Sequence, residues 1–253
     1  MNKNDDSIVV YWGTPNFQPK VESWSMLYST PRSLSSLLRE NKSANSPMFI
    51  CPATKDVFKN VFVFKSTFYD KHILPIDYLK ETQSLFPKFE REVIPTDGTI
   101  QMVRVRPSSL LNHSNIVYNM AWLLFSEESL LAKFTAPYCP PTSPALGAIL
   151  SPGQFDIGQW YRPFNLDYHI PTDTKTFEIK ENDDLFYIQF YTDKKIIFKQ
   201  YSVSDKLLAL LRESTEAPKR YGPFKSLQER YFMASKTNYS KLVLSEIKNN
   251  LIE

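Results

Sequence analysis

Apolar residues are spaced in two ways along this chain, and the spacing changes near residue 203. Before that point short runs rich in Val, Ile, Phe and Tyr alternate with polar or proline-containing breaks, as strands do. Ile8 to Trp12 reads as one such strand, stopped by Gly13-Thr14-Pro15-Asn16. NVFVFKS (60–66) reads as another, with CPATKD and FYDKHILP as irregular flanks. TIQMVRVRP follows the Asp97-Gly98 turn signal and is closed by Pro107. IVYNMAWLLF (116–125) and LLAKFT (130–135), separated by the polar SEES, have the form of a hairpin. TFEIK (176–180) follows the PTDT turn, and LFYIQFY (185–191) meets IIFKQYS across TDKK. Wound as helices, these segments would spread aromatics around the whole circumference; pleated, they place them on sheet faces.

Helical spacing occurs at the two ends. Leu34, Leu37 and Leu38 share one face, with Thr30 as a cap, Pro31 at the first helical position, and the loop Asn41–Pro47 as the stop. Beyond Ser202, SDKLLALLRES has Ser204 or Asp205 at its start, SLQERYFMAS follows Pro223, and NYSKLVLSEIKNNLI sets Leu242, Ile247 and Leu251 near one face behind a cap at Asn238. The expected fold is mainly β: a compact β-sandwich or jelly-roll-like body over 48–203, an N-terminal strand and helix extension over 1–47, and a C-terminal extension of short helices over 204–253 packed on the body. The intervals between those helices lack helix-turn-helix spacing.

Composition sharpens this picture without changing it. The chain has 253 residues, 42% hydrophobic and 23% charged, enough for a sizeable core. Its 18 Phe and 14 Tyr against 6 Gly favour aromatic surfaces over glycine-lined cofactor loops. The N-terminus carries an acidic pair where a secretory signal has basic residues, and the apolar stretch Met120–Phe125 is far short of a membrane span, so no transmembrane insertion is expected. Two cysteines, Cys51 and Cys139, are expected to be separate thiols in a reducing compartment. The net charge of +3 resides in residues 205–253, with nine Lys/Arg against six Asp/Glu.

Chemistry-bearing motifs are sparse. His72, His113 and His169 are isolated from one another and stand outside HExxH or HxD patterns, so neither a metal site nor a cofactor is expected. GxSxG, GxGxxG and the P-loop pattern are absent from the sequence. Glu127-Glu128 fits a solvated turn better than a glycosidase pair. Arg104 and Arg106, two apart in a strand, share a face that could hold RNA near Tyr118 or Trp122.

The densest segment is SPGQFDIGQWYRPFNLDYHI (151–170). Phe155, Trp160 and Phe164, with Ile157, are expected to pack a corner, Asp156 to cap or fix a turn, and Arg162 to bridge a carbonyl or carboxylate. The same Phe155, Asp156, Trp160, Arg162 and Phe164 would serve as anchors for a partner if exposed. This segment resembles an uncharacterised family of tailed-phage proteins, found among marine and cyanobacterial phages. The resemblance also draws on ENDDLFYIQFYTDKKIIFKQYS (181–202), CPATKDVFKNVFVFKS (51–66) and MAWLLFSEESLLAKFTAPY (120–138). It covers roughly residues 48–203, implies a viral origin, and supplies no catalytic residues.

The leading expectation is a non-enzymatic viral accessory or assembly protein acting through protein–protein contacts, in the host cytoplasm or associated with the virion. A viral or host protein is the expected partner, with self-association an option. Two alternatives stand beside it. One is a small-molecule enzyme with a pocket at the 151–170 corner, and the other is a nucleic-acid-binding regulator using the basic C-terminal helices, with Lys219-Arg220 as its test position.

Overall fold

The structure, a computed structural model, describes residues 7–13, 29–40, 51, 56–65, 71–75, 103–107, 110–118, 122–139, 148–161, 164, 166–180, 182–211, 229 and 238–252. Of these, 71–75, 103–107, 118, 176 and 178–180 are described by backbone alone. The fold is mainly β. Its strands are β1 (Ser7–Gly13), β2 (Arg32–Ser33), β3 (Val61–Lys65), β4 (Lys71–Pro75), β5 (Val103–Pro107), β6 (His113–Tyr118) and β7 (Leu123–Ser126), then β8 (Leu131–Thr135), β9 (Ile149–Leu150), β10 (Gly153–Asp156), β11 (Leu166–Pro171), β12 (Thr176–Lys180), β13 (Asp184–Phe190) and β14 (Lys195–Gln200). They form four sheets, ordered β14-β1-β7, β10-β8-β13-β3-β2, β5-β6-β11-β9 and β12-β4.

Strand parity explains how these sheets are covered. Along β1, Ile8, Val10 and Trp12 enter the main core, while Tyr11 points the other way into a second cluster with Tyr201, Leu207, Leu211, Val243 and Ile247. On β3, Phe62 and Phe64 enter the main core, and Val61 and Val63 meet Leu34 and Leu38 of the N-terminal helix (Leu34–Glu40). The three- and five-stranded sheets therefore each turn one face to a shared core and the other to a helical cover. Ring contacts carry the shared core: Phe64 meets Trp122 edge-on at 4.7 Å, Trp122 lies 5.5 Å from Trp12, and Phe62 lies 4.9 Å from Phe198. Burial on both faces is why β3 and β13 read as continuous apolar runs, whereas β11, with one face only half-buried, alternates strictly.

Several expectations are corrected here. β1 is the middle strand of its sheet, parallel to β14 (Ser7↔Lys195 to Trp12↔Gln200) and antiparallel to β7, so it belongs to the body and not to an extension. That parallel pair departs from the all-antiparallel pattern of a jelly roll. SEES does not close a hairpin: β7 pairs with β1, and β8 pairs with β10 and β13. TDKK likewise carries the chain from β13 in the five-stranded sheet to β14 in the three-stranded one. Both polar intervals are crossings between sheets, because the flanking strands pair with different partners: β7 with β1 but β8 with β10 and β13, and β13 with β3 and β8 but β14 with β1. FYDKHILP contains β4, which pairs with β12 from Lys71↔Lys180 to Pro75↔Thr176.

The helices follow expectation with shifts. The N-terminal helix begins at Leu34, after Arg32–Ser33 has paired with β3, so Thr30 and Pro31 lie outside its first turn. Residues 205–211 are helical, and Ser204 caps them: its Oγ accepts from Leu207 N–H at 3.1 Å. The last helix, Tyr239–Asn249, buries Val243, Glu246 and Ile247, while Leu242 is exposed; Asn238 makes no side-chain cap bond. Leu251 lies beyond the helix and bridges Tyr201 as an antiparallel β partner. Most of SLQERYFMAS, and Lys219-Arg220 with it, lies outside the described residues. Cys51 is exposed, Cys139 is buried, and the two are not joined.

Candidate functional site

The 151–170 segment is built around one carboxylate. β10 ends at Asp156, whose Oδ1 accepts from Leu130 N–H at 2.9 Å and Gly158 N–H at 2.8 Å. Its Oδ2 accepts from Ser129 Oγ at 2.6 Å and Gln159 Nε2 at 3.2 Å. Two of these donors belong to the β7–β8 crossing and two to its own turn, so Asp156 clasps two segments far apart in sequence. Backbone bonds reinforce the clasp: Ile157 N–H donates to Leu130 O at 3.0 Å, and Ser126 N–H to Ile157 O at 3.3 Å. A side chain at Gly158 would place its Cβ 2.5 Å from Glu128 O, which is why glycine occupies that close approach.

The aromatics of the segment are largely internal. Phe155 and Phe164 are buried in the main core, with rings 4.7 Å apart. Trp160 is half-buried, 5.1 Å from Phe155, and packs against both the main core and the cluster under the last helix. Asp156, Phe155 and Phe164 thus act on the fold itself, and Trp160 joins two cores. Arg162 lies outside the described residues.

The second crossing is fastened in a comparable way. Asn60 adopts the left-handed conformation (φ 52°), and its Nδ2 donates to Thr192 O at 2.7 Å and Lys194 O at 3.1 Å. Lys194 Nζ then pairs with Glu128 at 3.3 Å, joining the TDKK crossing to the SEES crossing. A crevice of about 320 Å³, lined by Asp56, Lys59 and Gln189 to Asp193, opens beside this junction. Its neighbour Glu127 is also engaged: it accepts from Tyr11 OH at 2.7 Å and pairs with Lys248 of the last helix at 2.8 Å. Lys248 and Tyr11 together hold the Glu127 carboxyl below its ordinary range, and burial, with that same carboxylate, raises the Tyr11 phenol. Glu127 and Glu128 thus lie in an exposed turn, as expected, and each carboxylate is in addition engaged in an ion pair.

The histidines are dispersed. His113 Nδ1 lies 2.8 Å from Leu111 O, and His72 is described by backbone alone. His169 Nε2 lies 2.7 Å from Ser151 Oγ, a contact that sequence spacing did not suggest. Ser151 N–H also donates to Asp167 O at 2.8 Å, and along β11 the half-buried Asp167 and His169 alternate with the buried Leu166, Tyr168 and Ile170. The pair fastens β9 to β11. Among the described residues no three His, Cys, Asp or Glu side chains gather as metal ligands. Arg104 and Arg106 are in register with Val117 and Asn115 of β6.

The basic C-terminal region spends cations internally. Lys206 pairs with Glu246 at 2.8 Å, and Lys248 with Glu127. Glu246 is buried, accepts from Ser204 Oγ at 2.7 Å as well, and is held below the ordinary carboxylate range by Lys206 first and then Ser204.

Exposed apolar side chains are spread over several elements, Leu111, Ile149 and Leu242 among them, and one group of them gathers along β14. Lys195, Ile197 and Lys199 alternate as exposed residues on this strand, which is an edge of its sheet. Ile252 N–H donates to Gln200 O at 2.9 Å and Ser202 N–H to Asn250 O at 2.8 Å, bringing exposed Leu251 and Ile252 to the end of the same edge. Comparison of the chain with family models, curated proteins and solved structures finds no match.

Proposed function

We propose that this chain is a non-enzymatic binding protein, a viral accessory or assembly component that works through protein contacts. The supporting observation is the gathering of Ile197, Leu251 and Ile252, each 37–43% exposed, on one sheet edge by backbone pairing. In the 151–170 corner, by contrast, Phe155 and Phe164 are buried in the core, which favours this edge over that corner as the partner surface. Exposed apolar side chains beside unpaired strand edges are where proteins recruit other chains. The viral context rests on the resemblance over 48–203. Size-exclusion chromatography of the tagged chain purified from infected host cells tests the reading. Co-elution with a stoichiometric viral or host protein is expected; elution as a lone monomer under gentle lysis would sink it.

A second reading, small-molecule catalysis at the 151–170 corner, draws on the Ser151–His169 contact, since a serine hydroxyl on an imidazole is one part of a nucleophile–base pair. A serine-directed fluorophosphonate that leaves Ser151 unlabelled would remove it.

A further inference from the structure

The open edge of β14 has a polarity that specifies what it accepts. Tyr201 N–H donates to Trp12 O, toward β1, whereas Gln200 O accepts from Ile252 on the opposite side. Backbone groups alternate sides along a strand, so Ile196 and Phe198 direct their N–H and C=O groups away from β1. Among the described residues, β14 pairs with no strand on that side over Lys195–Lys199. The chain's own residues 250–252 have already added to the next rungs as a short antiparallel partner.

We propose that β14 is a β-augmentation site for an extended, antiparallel segment of a partner protein carrying carboxylates two residues to either side of an apolar residue. Such a strand bonds to Ile196 and Phe198 through its backbone, sets its apolar residue against Ile197, and sets its carboxylates against Lys195 and Lys199. The inference rests on the protein-binding reading and adds mode, position and partner chemistry to it. Charge decides against a second copy of this chain. Two β14 strands overlapping across the whole stretch 195–199 in antiparallel register would oppose Lys195 to Lys199 twice, and like charges directly opposite destabilise a pair. Edge lysines are a known defence against self-pairing. Here they flank an exposed isoleucine, so the edge that repels its own copy remains complementary to an acidic strand.

The test uses the full chain, ¹⁵N-labelled, and two peptide probes: Thr-Glu-Thr-Val-Thr-Glu-Thr and its Lys-for-Glu counterpart. The Glu peptide is expected to bind on the order of tenfold more tightly in fluorescence polarisation, two opposed charge pairs each contributing a few-fold, and to slow amide exchange at Ile196 and Phe198. The folded double variant Lys195→Glu/Lys199→Glu should reverse the preference. Equal binding of both peptides, unchanged exchange at Ile196 and Phe198, or concentration-dependent dimerisation that protects those amides would overturn the proposal. Parallel affinity capture separates it from the reading beneath it. A partner retained equally by wild type and double variant defeats the edge while leaving protein binding intact, and a wild type that takes neither peptide nor partner defeats both.

Discussion

Replacing Asp156 probes the clasp between the two distant segments directly. In Asp156→Ala the N–H groups of the buried Leu130 and the half-buried Gly158 lose their acceptor, while Ser129 and Gln159 turn to water at small cost. A hydrogen bond to a charged group contributes about 1.5–3 kcal/mol, and a buried donor left unmet costs about 1–3 kcal/mol. With Leu130 buried and Gly158 half-buried, about 2 kcal/mol applies to the first and about 1 kcal/mol to the second, and the expected loss is about 3 kcal/mol. Asp156→Asn keeps an oxygen for the two backbone donors and loses only charge assistance, at about 1 kcal/mol. Urea unfolding followed by tryptophan fluorescence measures both variants, with m-values checked for constancy. The ordering matters more than either value. If Asp156→Ala stays within about 0.5 kcal/mol of wild type, a range typical of uninvolved surface positions, or if Asn is as damaging as Ala, the carboxylate does not hold the crossing.

Asn60→Ala should lose about 2–3 kcal/mol by calorimetry, through both bonds to the TDKK crossing and the left-handed backbone, whereas Asn60→Gly, which relieves the backbone, should lose about 1 kcal/mol. A Cβ at Gly153 would lie 2.1 Å from the Phe134 ring, so Gly153→Ala should cost about 1–3 kcal/mol of unfolding free energy by displacing that ring. Glu127 and Glu246 both have folded-state pKa values held below the ordinary range by contacts involving the last helix. Their contribution is present above the unfolded carboxylate value near about 4.3 and is lost as pH falls through the lower folded values. Amide exchange should therefore show the last helix loosening as pH falls below about 4.3, less steeply in Glu246→Gln.

The β class was legible because Val, Ile and aromatic residues recur in short runs that no helix could bury. Partner assignment was not. SEES and TDKK have the composition of hairpin turns, and nothing local distinguishes a four-residue interval that returns to its sheet from one that leaves it; that depends on the distant strands with which β7, β8, β13 and β14 pair. The uninterrupted apolar run Ile8–Trp12 did carry a signal for burial on both faces, in Tyr11 and Trp12 pointing to different clusters. Its distance from β14 along the chain concealed the pairing. Asp156 was readable as a turn-fixing residue, whereas Leu130, its partner across the crossing, was not. In the last helix, the buried stripe shifted from Leu242 to Val243 because Glu246 could be buried once Lys206 and Ser204 satisfied it.

The central position of β1 has a consequence for how the chain is made. A ribosome delivers Ile8, Val10 and Trp12 long before β14, the parallel partner against which they are pinned, and nearly the whole chain intervenes. Until then β1 is a fully apolar ribbon with no completed partner on that side, at the stage of synthesis when stray pairing is most damaging. Closure of the body must wait for its latest strand, so the polypeptide spends most of its synthesis time with its first strand as an open end, and a chain truncated before Lys195 should be unable to bury Trp12.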